Sequence, residues 1–89
     1  MKVKSGYILR EVAGNYIVVA VGEEAMDFNG LITTNETGAF LWNKLSNDIS
    51  ESDLVCAMLE EYEIDQETAA ADISAFLLKL KEAELLINE

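Results

Sequence analysis

The chain has 89 residues, of which six are basic and seventeen acidic, giving a net charge of −11; 51% are hydrophobic and none is proline. That length supports one compact core, a single domain over residues 1–89, and the apolar content reads as an ordered fold rather than a disordered tail. The charge opposes nucleic acids and anionic membrane surfaces, which both reward clustered Lys and Arg.

Taken in chain order, the first third carries strand signals. Tyr7-Ile8-Leu9-Arg10-Glu11-Val12 is followed by Ala13-Gly14-Asn15 and then by the β-branched run at residues 16–21, which predicts a hairpin with a Gly-Asn turn. Residues 22–27 read as loop and residues 28–33 as a shorter third strand. From Thr34 the period becomes helical. Thr34 or Asn35 caps a first helix running to Leu45, with Gly38, Leu41, Trp42 and Leu45 on its buried stripe and Phe40 widening it. Ser50 and Asp53 open a second helix in the manner of a capping box, with Val55, Met58, Leu59 and Tyr62 inward and Glu60, Glu61 and Glu63 outward. Asp65 caps the third and longest helix, whose core face is Ala69, Ile73, Phe76, Leu77 and Leu80. Leu85-Leu86-Ile87 reads as a short closing strand. The fold class is α+β. Three N-terminal strands and three helices suit a winged helix-turn-helix-like arrangement.

Residue chemistry narrows the function further. There is no histidine and one cysteine, Cys56, which removes zinc sites, Cys–His nucleophiles and Ser–His–acid triads. Cys56 itself, between Val55 and Ala57, reads as a half-buried helix position. No Gly-rich phosphate loop is present, so no catalytic residue, metal or cofactor is expected. Nothing approaches the roughly 20 apolar residues of a membrane span, and the N-terminus is not a signal peptide, so the expected location is cytoplasmic.

Two stretches of the sequence resemble the PqqD family. They are Leu9-Arg10-Glu11-Val12-Ala13-Gly14 and the run Phe28-Asn29-Gly30-Leu31-Ile32-Thr33-Thr34-Asn35-Glu36-Thr37-Gly38-Ala39-Phe40-Leu41-Trp42. Tyr62 with Asp65, Asp72-Ile73 with Phe76-Leu77 and Leu80, and Leu85-Leu86 agree with it, and the Asn-Glu-Thr-Gly-Ala-Phe-Leu-Trp block is its most specific part. Two positions depart: Thr34 stands where the family usually has an aliphatic residue, and Glu84 replaces a glycine often found after the third helix, so a less sharp helix end is expected. The resemblance implies a non-catalytic chaperone in the pathways that make pyrroloquinoline quinone and related modified peptides. Such proteins bind the leader segment of a ribosomally made precursor as an added strand. They then present it to a modifying enzyme, often a radical S-adenosylmethionine enzyme.

On that reading the docking edge is Gly30, Leu31, Ile32, Thr33 and Thr34, where Gly30 leaves room for close backbone approach and alternate side chains point inward and toward a ligand. The opposite wall is the flank of helix three carrying Asp72, Ala75, Phe76 and Lys79. Small residues there leave space, Phe76 provides an aromatic floor, and Lys79 and Asp72 offer opposite charges. Trp42 is expected in the core, and Asn35 and Glu36 in capping. The alternatives are a winged-helix DNA binder, which the charge opposes, and an acidic adaptor. An exposed edge strand also permits homodimerisation by sheet extension.

Overall fold

The structure, a computed structural model, describes residues 1–21 and 32–87. Its elements in chain order are β1 (Lys2–Val3), β2 (Tyr7–Val12), β3 (Asn15–Ala20), β4 (Ile32–Thr34), α1 (Glu36–Lys44), α2 (Glu51–Glu61), α3 (Gln66–Glu82) and β5 (Leu86–Ile87). β2, β3 and β4 form an antiparallel sheet in that order, and β1 pairs antiparallel with β5. The strands-then-helices order and the closing strand follow the expectation, and the fold class is α+β. β1 is an addition. Its two residues alternate charge with apolar side chain and carry no readable period; partners distant in sequence create it. Val3 N–H donates to the Leu45 carbonyl at 2.9 Å and Lys4 N–H to the Leu85 carbonyl at 2.8 Å.

The hairpin turn is one residue tighter than expected. Val12 pairs with Asn15, so Asn15 already belongs to β3 and the loop is Ala13-Gly14 alone. Both loop residues have positive φ, 52° and 83°. That is the type I′ geometry whose twist matches the flanking strands, and Gly14 adopts it without steric penalty. The expected loop at 22–27 and the first part of the expected third strand, including Gly30 and Leu31, lie outside the described residues.

Each helix begins at the cap the sequence indicates. Gly38 N–H donates to Asn35 Oδ1 at 2.9 Å, Asp53 N–H to Ser50 Oγ at 3.1 Å, and Thr68 N–H to Asp65 Oδ1 at 2.7 Å. The Thr68 hydrogen bonds hold the Asp65 carboxyl below its ordinary value. Asn35, rather than Thr34, is therefore the cap of α1, and Thr34 remains in β4 paired with Tyr16.

All five expected core residues of α3 are buried, and with Val18, Ile32, Leu41, Trp42, Leu45, Leu54, Met58 and Leu85 they make one apolar cluster. In α2 the stripe runs differently from expectation. Leu54 and Met58 are buried, Val55 and Tyr62 are half-buried, and Leu59 is exposed. Leu54, Met58 and Tyr62 are spaced four apart and define the seam, which leaves Leu59 about 100° further round than Met58. Cys56 lies about 200° from Leu54 on the same wheel and is exposed, not half-buried.

The end of α3 also departs from expectation. Glu84 takes the left-handed conformation at φ 58°, Glu84 N–H bonds the Lys81 carbonyl at 3.0 Å, and Leu85 N–H bonds the Leu80 carbonyl at 2.9 Å. These two bonds are the Schellman pattern, with Leu80 and Leu85 both buried beside it. The helix stops sharply without glycine because burial of Leu85 holds the turn.

A candidate peptide-docking edge

The register of the three-stranded sheet determines which backbone groups of β4 are free. A two-residue turn makes Val12 and Asn15 a hydrogen-bonded pair, and such pairs alternate along an antiparallel ladder. Ile17 therefore directs its N–H and C=O toward β2, while Tyr16 and Val18 direct theirs toward β4. Tyr16 pairs with Thr34 and Val18 with Ile32. Thr33, opposite Ile17, turns both its backbone groups away from β3. Among the described residues no strand pairs with that side of β4.

What faces it is α3. Lys79 Nζ donates to the Thr33 carbonyl at 3.5 Å, across 46 residues of sequence. Beside this contact lies a cleft of about 200 Å³ lined by Thr34, Asn35, Thr37, Gly38, Leu41, Asp72, Ala75, Phe76 and Lys79. Leu41 and Phe76 are almost fully buried and supply an apolar floor. Among the described residues the rim is polar and carries one charge of each sign, Asp72 and Lys79.

The structure thus brings together Thr34, Asp72, Ala75, Phe76 and Lys79 around one cleft. Thr33 stands at its margin through its backbone, with an exposed side chain, and Ile32 is buried beneath. Ile32 and Thr34 face the helices and Thr33 the opposite side, as alternation requires. Phe76 serves as both core residue and cleft floor. Trp42 is packed in the core and takes no part. Gly30 and Leu31 lie outside the described residues.

Four cleft residues were not assigned to the site from sequence: Asn35, Thr37, Gly38 and Leu41. The signal for them was present. Only Asn35 separates β4 from α1, so the first turn of α1 has to lie against the end of β4. Gly38 makes that approach possible, because a side chain there would run into Thr34. Tyr62, whose side chain neighbours that of Thr37, is not among the described residues that line the cleft. Its ring meets Phe40 edge-on at 5.5 Å, and burial, followed by the nearby Glu36 carboxylate, raises its pKa above the usual tyrosine value. No group of acidic or Cys side chains suited to a metal ion occurs among the described residues, and no helix among them is long and apolar enough to cross a membrane.

No curated protein matches the chain. In fold it is similar to TbiB1, solved in complex with the TbiA(beta) leader peptide, with a TM-score of 0.75, 20% identity, and coverage of 100% of this chain and 98% of that one. It is likewise similar to a lasso peptide synthetase B1 complexed with the leader peptide, with a TM-score of 0.71, 20% identity, and coverage of 98% and 96%. Residues 19–86, most of the sequence and all of the cleft, match the family model described as coenzyme PQQ synthesis protein D, and the chain belongs to the PqqD family.

Proposed function

We propose that this protein is a peptide-recognition domain. It takes the leader segment of a ribosomally made precursor peptide as an added strand on β4, against α3, and presents it to a modifying enzyme such as a radical S-adenosylmethionine enzyme. The observation that carries the reading is Thr33, whose outward N–H and C=O stand at the mouth of a cleft walled by a helix. Main-chain pairing supplies affinity for any extended segment, and a side-chain pocket beside it supplies selection.

The size of the cleft favours this over small-molecule chemistry. At about 200 Å³ it falls below the roughly 300–1,000 Å³ of ordinary ligand pockets, and it suits one or two side chains of an extended peptide. Among the described residues that line it, Asp72 and Lys79 are the charged groups. The winged-helix outline raises DNA as a rival ligand, but a net charge of −11 opposes association with the phosphate backbone. Family membership and the leader peptides bound by two proteins of the same fold support the peptide reading.

Titrating the isotope-labelled protein with the synthetic leader of a precursor encoded beside its gene tests it. Micromolar or tighter binding is expected, with amide shifts concentrated at Thr33, Thr34 and the Asp72–Lys79 flank. Absence of binding, or shifts confined to the β1–β5 side, overturns the reading.

A further inference from the structure

We infer that Lys79 makes the β4 edge selective for a strand that carries an acidic side chain at the point of contact; this rests on the peptide-docking reading above. In the unliganded chain the Lys79 ammonium donates to the Thr33 carbonyl at 3.5 Å. The sheet register makes that carbonyl one of the two Thr33 groups an added strand has to use. An incoming backbone N–H therefore competes with Lys79 for the same acceptor. Lysine at a sheet edge is a recognised obstacle to unwanted strand pairing, and here the ammonium is bonded to the edge itself.

Displacement leaves Lys79 beside the cleft without its acceptor. Among the described residues it forms no ion pair. Asp72, the one carboxylate among the described residues that line the cleft, is seven residues earlier on α3, about 10.5 Å along the helix axis and out of direct reach. A peptide bringing Asp or Glu to this point replaces an ammonium–carbonyl contact with an ammonium–carboxylate one. Such charge-assisted bonds are shorter and stronger than those to neutral acceptors. A neutral side chain breaks the Lys79–Thr33 contact with no replacement, and a basic one adds repulsion. The resulting order of preference is acidic, then neutral, then basic. The surrounding charge of −11 disfavours acidic peptides in general, so the preference is confined to one position of the bound strand.

The experiment pans a display library of short, strand-forming random peptides against the full chain and its Lys79→Met, Lys79→Glu and Lys79→Arg variants. Lys79 is exposed on α3, so all four proteins should fold alike, which circular dichroism checks. Peptides selected by the unmodified protein and by Lys79→Arg should share an Asp or Glu at one position. Lys79→Glu should move that position to Lys or Arg, and Lys79→Met should lose the bias while its peptides still shift the Thr33 amide. Replacing the acidic residue by its amide should weaken binding to the unmodified protein about tenfold, and less than twofold for Lys79→Met. An acidic preference that survives unchanged in Lys79→Met, or peptides selected by the unmodified protein that shift Thr33 without an acidic position, overturns the inference alone. Peptides that leave Thr33 unmoved in every protein overturn the docking reading and this inference together.

Discussion

A methyl group built at Gly38 would overlap the Thr34 hydroxyl and come within 2.9 Å of its Cβ and 3.0 Å of its Cγ2. Gly38 sits in the first turn of α1, where helix propensity alone favours alanine by about 1 kcal/mol. Packing opposes propensity here, because the neighbour is a β-branched residue held in a strand. Gly38→Ala should therefore destabilise the protein by about 1–3 kcal/mol, the range for overpacked sites. In a Thr34→Ala background the cost should be smaller, a coupling that urea unfolding of the four proteins measures. Equal costs in both backgrounds would show that Thr34 is not the obstacle. The same pair illustrates what is legible from residues alone. Gly38 is a readable oddity in an otherwise good helix, yet the reason for it is Thr34 pressed over it. Thr34, where the resemblance points to an aliphatic residue, ends β4 and is followed directly by the Asn35 cap of α1.

At the level of elements, the caps and strand runs are local features, and they predict the structure well. Asn35, Ser50 and Asp65 each satisfy an amide of the first helical turn of the helix that follows. The end of α3 was harder to read. Glu84 occupies a left-handed position that costs an L-residue about 1–2 kcal/mol, and a Schellman turn forms regardless because Leu85 is fully buried. Glu84→Gly should raise stability by about 0.5–1 kcal/mol after allowing for glycine's larger unfolded-state entropy. In a domain of this size that is an increase of roughly 2–8 °C in Tm, which a thermal melt resolves. An unchanged or lowered Tm would mean that the Glu84 side chain supplies a compensating contact. The missed seam of α2 has a similar origin. Its apolar positions 54, 55, 58, 59 and 62 span too wide an arc to all face inward, and packing against α3 selected Leu54 over Leu59.

For the molecule as a whole, charge is the dominant constraint. Eleven excess negative charges repel one another, and the one ion pair among the described residues joins the Met1 amino group to Asp48 at 2.6 Å. Screening therefore relieves more repulsion than it removes attraction. Raising salt from about 0.01 to 0.15 M, which shortens the Debye length from about 30 to 8 Å, should stabilise the fold by roughly 1 kcal/mol, read as a higher urea midpoint. A midpoint that falls with salt would indicate that attractive pairs dominate. The same field favours encounter with basic partners, which makes Lys79, the lone cation among the described residues of the cleft rim, conspicuous as a point of local selection.

Periodicity, caps and turn residues set out the order of strands and helices, because these are short-range consequences of backbone geometry and side-chain shape. They also place Asp72, Ala75, Phe76 and Lys79 on one flank of α3. No local pattern reveals which strand that flank faces. Two long-range facts decide it: the burial of α3 against the sheet, and the hairpin register that leaves Thr33 with its backbone groups outward. β1 exists through Leu45, Leu85, Leu86 and Ile87, far along the chain. The contact between Lys79 and Thr33 is likewise a product of packing, since α3 has to lie near the β4 edge before one lysine can reach one carbonyl.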